Sequence, residues 1–176
     1  MDVQTCIHTV RAVRAYRDEP VPESVIQTIL VAGRATGSGK NRQPWKFILV
    51  QDRTRLRELA KTGTFAAHLA EAAFAVVIVI DRDAPNGLFD AGRATQNMIL
   101  AAHARGVSSC PVSLHQAAAA RALLEVPEDK TIAIGIAFGY RDRDRAAEER
   151  AFRKRVLERQ GRLPLDQLVV HERYAD

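Results

Sequence analysis

The sequence predicts an α/β or α+β layer structure in which helices cover a mixed β-sheet. Residues Phe74 to Ile80 are apolar without interruption, which is typical of a strand buried on both faces. Phe89 to about Arg105 is rich in small and apolar residues and predicts one long helix. Thr131 to Phe138 alternates small and large residues, which indicates a second long strand. Helical and strand patterns therefore alternate along the chain.

The same periodicities predict the other elements and their order. They are a helix from Val3 to about Ala15, a helix from Pro22 to about Ala35, a strand from Trp45 to Val50, a helix from Asp52 to about Lys61, a short helical piece from about Phe65 to Glu71, an extended run from Val107 to Val112 and a short helix from Gln116 to Leu124. Gly106 is expected to end the long helix.

The length of 176 residues and an apolar content of 47% predict one domain that spans residues 1–176. No apolar run approaches the roughly 20 residues of a membrane span, and the first residues lack the character of a signal peptide. We therefore expect a cytoplasmic protein. Cys6 and Cys110 are interpreted as buried apolar residues in a reducing compartment, and no metal site is predicted.

The net charge of +5 is concentrated near the C-terminus, because Arg141 to Arg162 holds nine Arg or Lys against five Asp or Glu. Ala151, Phe152 and Val156 recur there at helical spacing. A solvated amphipathic helix explains this pattern, and a nucleic-acid-binding surface is the alternative. Phe152 alone does not supply the interleaved aromatic residues that would support a nucleic-acid partner.

The stretch from Gly37 to Trp45 crowds small, amide and cationic side chains between a helix and a strand, as in a loop that holds an anionic ligand. Gly37 and Gly39 permit positive φ angles and let peptide N–H groups approach a ligand, and Asn41 and Gln43 add amide donors and acceptors. An ordinary polar connection is the alternative. A Walker phosphate loop is excluded, because the chain runs from helix to strand and lacks the required residues.

Arg11 and Arg14 are three residues apart on the first predicted helix, so both guanidinium groups should leave one face. Two guanidinium groups aimed in one direction suit a phosphate. Two solvated arginines are the simpler alternative.

Several of these segments together resemble the FMN-dependent nitroreductase family, in its compact branch. The resemblance rests on Arg11 to Tyr16, Pro20 to Pro22, Ser38 to Trp45, Asp90 to Met98, Gly106 to Cys110, Val126 to Asp129, Gly139 to Tyr140, Arg162 to Asp166 and His171 to Tyr174. It covers nearly the whole chain.

The resemblance implies a nitroreductase-like α+β fold, with a mixed sheet packed by helices, in an intertwined homodimer that binds FMN in two clefts between subunits. The residues that it assigns to cofactor binding are Arg11, Ala12, Arg14, Ser38, Gly39, Asn41, Gln43, Pro111, Val112, Ser113 and Arg162. Of these, Arg11, Arg14 and Arg162 would hold the phosphate and neighbouring polar groups. The loop residues would line a flavin cleft, and some would reach the partner's cofactor. The family often has Ser at position 12 and commonly an aromatic residue at 111.

The implied activity is hydride transfer from NADH or NADPH to a nitroaromatic, a quinone or a similar electron-poor acceptor, by a ping-pong mechanism. Because FMN carries this chemistry, no catalytic side chain is predicted, and His8, His68, His103, His115 and His171 are interpreted as structural or exposed. The alternatives are a flavin-storage protein without turnover and a nucleic-acid-associated protein that uses the basic helix. A small-molecule acceptor and a second copy of the chain are the expected partners.

Overall fold

The structure, a computed structural model, describes residues 1–156 and 162–174, and for residues 149, 150 and 152–156 it describes the backbone alone. The chain divides into two compact units, Met1–Ala146 and Ala147–Asp176. The single domain expected over residues 1–176 stays a prediction.

The first unit contains most of the helices and a four-stranded sheet. In chain order the elements are α1 (Val3–Thr9), α2 (Glu23–Arg34), a 3₁₀ turn (Gly39–Asn41), β1 (Trp45–Val50), α3 (Arg53–Ala60), a 3₁₀ turn (Ala67–Glu71), β2 (Phe74–Asp81), α4 (Gly87–Ala104), β3 (Ser108–Val112), α5 (Ala117–Leu123), β4 (Lys130–Gly139) and the start of α6 (Arg143–Val156). The second unit continues α6 and has a 3₁₀ turn at Leu165–Gln167.

The described strands follow the order β1-β2-β4-β3. All three ladders are antiparallel, and the parallel component is an isolated bridge between Ala12 and Ser109. The α+β class is therefore confirmed.

The β2 strand is the centre of the fold, because seven of its eight residues are buried. Side chains that alternate along it belong to two separate apolar clusters, one on each face of the sheet. On one face Phe74 stacks on Phe138 of β4, with the ring centroids 4.8 Å apart. Because both faces of β2 are covered by apolar side chains, residues 74–80 of this strand are all apolar.

The α4 helix packs across the face that holds Phe74 and Phe138, and it buries Ala91, Ala94, Met98 and Ala102 there. Gly106 ends it as predicted, with a φ of 75°. The N–H of Gly106 donates to the carbonyl of His103 at 3.0 Å, and the N–H of Val107 donates to the carbonyl of Ala102 at 2.9 Å. These two bonds form a Schellman motif, which requires the left-handed conformation that glycine adopts without strain.

Several local predictions are confirmed. The Asp52 carboxylate accepts the N–H of Arg55 at 2.7 Å and begins α3. Cys6 and Cys110 are buried free thiols. The basic stretch forms the helix α6 over Arg143–Val156, although residues 157–161 of the predicted segment lie outside the described residues.

Ion pairs also link the two strands at one end of the β2–β4 ladder. Lys130 Nζ lies 2.7 Å from Asp81 Oδ1 and 3.0 Å from Asp129 Oδ2. The hydrogen bond to Asp81, followed by the one to Asp129, raises the pKa of Lys130, and the hydrogen bond from Lys130 lowers the pKa of Asp129.

In the described part of the chain, no helix is both long and apolar enough to cross a membrane.

Replacing Gly139 by Ala should destabilise the first unit. An added Cβ would lie 2.9 Å from Cδ1 of Tyr16, and that ring is 2% exposed and hydrogen-bonded through its hydroxyl to the Val13 carbonyl. Overpacking against a fixed ring should lower the free energy of unfolding by about 2 kcal/mol in urea denaturation. Gly39→Ala is the control, because its Cβ meets nothing within 4 Å. Equal stabilities of the two variants would contradict this packing.

Candidate functional site

The arginine-bearing segment that follows α1 is extended, and the prediction of a helix to about Ala15 is wrong. The helix ends at Thr9, and Val10 has a ψ of 135°. Arg11 and Arg14 therefore lie outside a helix, and the argument that placed both on one helical face fails with it.

Tertiary pairing explains this difference. Ala12 bridges Ser109 of β3, and the N–H of Val13 donates to the Ser109 carbonyl at 3.0 Å. Farther along, the N–H of Arg17 donates to the Tyr140 carbonyl at 2.8 Å. These bonds give backbone N–H groups of the segment hydrogen-bond partners, as a helix would. The extended chain also buries Val13 and Tyr16. Local helix propensity is a weak preference that such packing overrides.

The Arg11 side chain folds back on the end of α1. Its Nη1 donates to the carbonyls of His8 and Val10, both at 2.7 Å. A cation is favourable there, because carbonyls at a helix C-terminus carry partial negative charge. Arg11 and Ala12 are exposed, whereas Arg14 is half-buried.

The predicted residues Pro111, Val112 and Ser113 lie at the end of β3, the strand that Ala12 joins. Pro111 is exposed on this edge strand, where its missing N–H disrupts no central ladder. Val112 is buried and Ser113 is exposed. The bridge is parallel, so the backbone from Ala12 to Arg14 runs in the direction of β3. We call Arg11, Ala12, Arg14, Pro111, Val112 and Ser113 the β3-edge cluster.

The loop before β1 contains the second group of predicted residues, and its backbone conformation is unusual. Positive φ angles occur at Lys40 (52°), Asn41 (54°) and Gln43 (48°). Gly37 and Gly39 do not use the positive φ that glycine permits. Non-glycine residues in this conformation cost about 1 kcal/mol each, and such strain is concentrated at functional sites. We call residues 37–43 the strained loop.

Hydrogen bonds inside the strained loop close it into a compact turn. The Ser38 hydroxyl accepts the N–H of Gln43 at 2.9 Å, and the N–H of Asn41 donates to the Ser38 carbonyl at 3.0 Å. The Gln43 amide donates to the Asn41 carbonyl at 3.4 Å. Four predicted site residues, Ser38, Gly39, Asn41 and Gln43, are thus brought together.

Two side chains of α4 contact this loop, and the sequence analysis assigned them no role. Arg93 Nη1 donates to the Gly37 carbonyl at 3.0 Å, and the Asn97 amide donates to the Thr36 hydroxyl at 2.8 Å. Arg93 also lies 3.6 Å from Oδ1 of Asp90, which is 3% exposed. The spacing of Asp90, Arg93 and Asn97 could have revealed them, because it places all three on one helical face.

The two groups of predicted site residues lie beside opposite edge strands of the sheet within one chain. The strained loop leads into Trp45, which pairs with Ile80 of β2, whereas Ser109 pairs through Phe138 with Phe74 of β2. Six residues, or about 20 Å along the strands, separate Ile80 from Phe74. Val112 is nearer, because it pairs through Gly135 with Val77, three residues or about 10 Å from Ile80. Three strand spacings add about 14 Å across the sheet.

Arg162 belongs to the second compact unit and is exposed. Its assignment to the cofactor phosphate stays a prediction.

Comparison with known proteins identifies the class to which this fold and these segments belong. The sequence profile described as "Nitroreductase family" matches residues 7–86 and 57–140. This range contains both the β3-edge cluster and the strained loop. The chain belongs to the nitroreductase family.

Individual relatives extend the comparison. A protein of Archaeoglobus fulgidus, provisionally named NADH dehydrogenase/NAD(P)H nitroreductase, is 32% identical over 143 residues, which are 76% of this chain and 82% of the relative. The NADPH-flavin oxidoreductase of Vibrio harveyi is 28% identical over 152 residues, which are 76% of this chain and 63% of the relative.

A solved structure gives the same result for the fold. The NADPH:FMN oxidoreductase of Vibrio harveyi in complex with NAD⁺ superposes with a TM-score of 0.83 at 25% identity, covering 98% of this chain and 78% of that chain.

The left-handed backbone at Lys40 predicts how substitutions there affect stability. Lys40→Val should lower the free energy of unfolding by about 1 kcal/mol or more, because β-branched residues tolerate positive φ poorly. Lys40→Gly should leave the free energy of unfolding within about 0.5 kcal/mol of the wild-type value, since relief of backbone strain offsets the added conformational freedom of the unfolded chain. Urea denaturation measures both effects, with Lys46→Val at the exposed position of β1 as the control. Equal effects at positions 40 and 46 would contradict the strained conformation.

Proposed function

We propose that this protein is an FMN-dependent oxidoreductase that transfers hydride from NADH or NADPH to a nitroaromatic, a quinone or a similar electron-poor small molecule. Membership of the nitroreductase family, matched within residues 7–140, is the observation that carries the proposal. The match spans every predicted cofactor residue except Arg162. Relatives named for NAD(P)H and flavin support the same cofactor and co-substrate.

The β3-edge cluster has side chains that fit the anionic end of FMN. A guanidinium group has five N–H donors. Within the described chain, the hydrogen bonds of Arg11 use Nη1, which leaves Nη2 and Nε to bind phosphate oxygens. Arg14 adds a second cation two residues beyond the bridge at Ala12. Charge-assisted bonds of this type are about twice as strong as neutral ones.

When bound, FMN supplies the redox chemistry, accepting hydride from the nicotinamide and passing electrons to the acceptor. The protein then needs to bind and orient the flavin and the two substrates. Arg11 and Arg14 would hold anionic groups, and Pro111, Val112 and Ser113 would form a wall beside the flavin ring. The amides of Asn41 and Gln43 would offer donors and acceptors to its polar edge. This division of roles is consistent with our expectation that no side chain acts as acid, base or nucleophile.

We further propose that each site is shared between two copies of the chain. Within one chain the strained loop and the β3-edge cluster border opposite edge strands, three strand spacings or about 14 Å apart, and they are further offset along the strands by about 10 Å at Val112 and about 20 Å at Ser109. One FMN would have to span the whole sheet to contact both groups of the same chain. The cluster of one copy would instead face the loop of its partner. Residues 163–174 add apolar surface for such an association, with Leu165 at 74% and Tyr174 at 88% exposed. The intertwined homodimer and the cytoplasmic location stay predictions.

Shared use of one cleft would give a ping-pong mechanism, in which nicotinamide leaves before the acceptor enters. The sequence shows no dinucleotide-binding fingerprint that would provide a separate nicotinamide site. Donor and acceptor would therefore occupy the same space in turn.

The spectrum and the kinetics of the purified protein test this function. We expect a yellow protein with bound FMN that is bleached by NADH or NADPH without oxygen. With a quinone or nitroaromatic as acceptor, double-reciprocal plots at several acceptor concentrations should give parallel lines. Intersecting lines would contradict the shared cleft, and bound flavin that neither nicotinamide reduces would identify a flavin-storage protein. A colourless protein that binds no added FMN would contradict the proposal as a whole.

A further inference from the structure

We infer that Arg93 is a positioning residue that holds the strained loop, residues 37–43, in the conformation that binds the cofactor. The inference rests on the proposed function, because that function gives the loop its ligand. It adds a residue of α4 that the cofactor assignments do not include, and it assigns that residue a role in setting the affinity of the site.

The first support is the geometry around the Arg93 guanidinium. Its Nη1 donates to the Gly37 carbonyl at 3.0 Å and lies 3.6 Å from Asp90 Oδ1. Asp90 is 3% exposed, so its carboxylate has a fixed position in the packed face of α4. Arg93 thereby connects a buried anion of the core to the first carbonyl of the strained loop.

The second support is the space at Gly37. A Cβ on this residue would lie 3.3 Å from Nη2 of Arg93, closer than such contacts ordinarily are. The φ of Gly37 is not positive, so glycine is not required there for a left-handed backbone. Its absent side chain instead allows the guanidinium to approach the backbone. The absence of a side chain at Gly37 therefore accommodates the guanidinium of Arg93.

The third support is that neighbouring turns of α4 strengthen this connection. One turn later, the Asn97 amide donates to the hydroxyl of Thr36, which is 5% exposed. One turn earlier, the Phe89 ring lies under the guanidinium, with its centroid 5.7 Å from Cζ. Three successive turns of a packed helix therefore position the chain where the strained loop begins.

The strained loop needs such support from outside, because left-handed residues persist only where surrounding contacts hold them. The side-chain hydrogen bonds of Ser38 and Gln43 stay inside the loop, in the part of the chain that the structure describes. They fix its shape without attaching it to the core. Without Arg93 the loop would populate other conformations, and a ligand would have to reorder it on binding.

The test compares Arg93→Ala with Arg57→Ala, which removes an exposed arginine from the surface of α3. Two quantities are measured on the full-length protein: amide hydrogen exchange at residues 36–43, and the rate of FMN release, followed by the recovery of flavin fluorescence on dilution. We expect Arg93→Ala to speed exchange in the loop and to release FMN about tenfold faster, because a charge-assisted hydrogen bond is lost. Arg57→Ala should match the wild type in both.

Conservative variants separate positioning from general stability. Arg93→Lys keeps the charge and one bond to Gly37, so it should restore part of the slow FMN release. Gly37→Ala should speed loop exchange while Arg93 is intact, because the added Cβ would lie 3.3 Å from Nη2 and push the guanidinium away from its hydrogen-bonding position by a few tenths of an ångström. If Arg93→Ala does not fold, these two variants carry the same measurements.

Two results would overturn the inference. Loop exchange in Arg93→Ala that equals the wild type would show that Arg93 does not hold the loop. Exchange that rises equally throughout α4 would show a structural role for the helix alone. If the wild-type protein binds no FMN, the proposed function is wrong, and so is the role of Arg93 in cofactor affinity. Loop exchange in Arg93→Ala still decides whether Arg93 anchors residues 37–43.

Discussion

The antiparallel pairing of β2 with β4 is the constraint on which the rest of the structure depends. The outer strands each attach to one member of this pair, and α4 packs on the face that the pair forms. The register also sets the positions of the site residues. It places the strained loop beside the Ile80 end of β2, and it places β3 on the opposite edge, with Ser109 level with Phe74 and Val112 level with Val77. A ladder that stabilises one chain thereby separates the halves of the proposed cofactor site.

In the strained loop, contacts with the rest of the fold stabilise a backbone conformation that is unfavourable by itself. Lys40, Asn41 and Gln43 adopt a backbone that L-residues seldom occupy. Contacts from α4 hold the entrance of the loop, through Arg93 and Asn97, and Trp45 in the sheet holds its exit. The fold therefore supplies a conformation that the loop sequence would not adopt alone, as expected of a preorganised binding site.

Elements with a strong local signal could be predicted from the sequence, and elements set by distant contacts could not. The apolar run of β2 and the glycine stop after α4 are local, and both predictions are confirmed. The segment from Val10 to Tyr16 has a helical pattern, but Ser109, almost a hundred residues away, pairs with it as a strand. The anchor formed by Arg93 likewise depends on the α2–α4 arrangement, which no single-sequence pattern specifies.

We propose that the β3-edge cluster and the strained loop complete one FMN site only across two chains. Subunit complementation tests it most directly, with Arg11→Ala/Arg14→Ala in one tagged chain and Ser38→Ala/Gln43→Ala in another. Co-expressed heterodimers are purified through both tags, and their FMN content is measured. We predict that each variant alone loses FMN, whereas the heterodimer retains about one FMN per two chains, because one of its two sites is intact. A flavin-free heterodimer would overturn this proposal, since it would place both groups in a single chain's site.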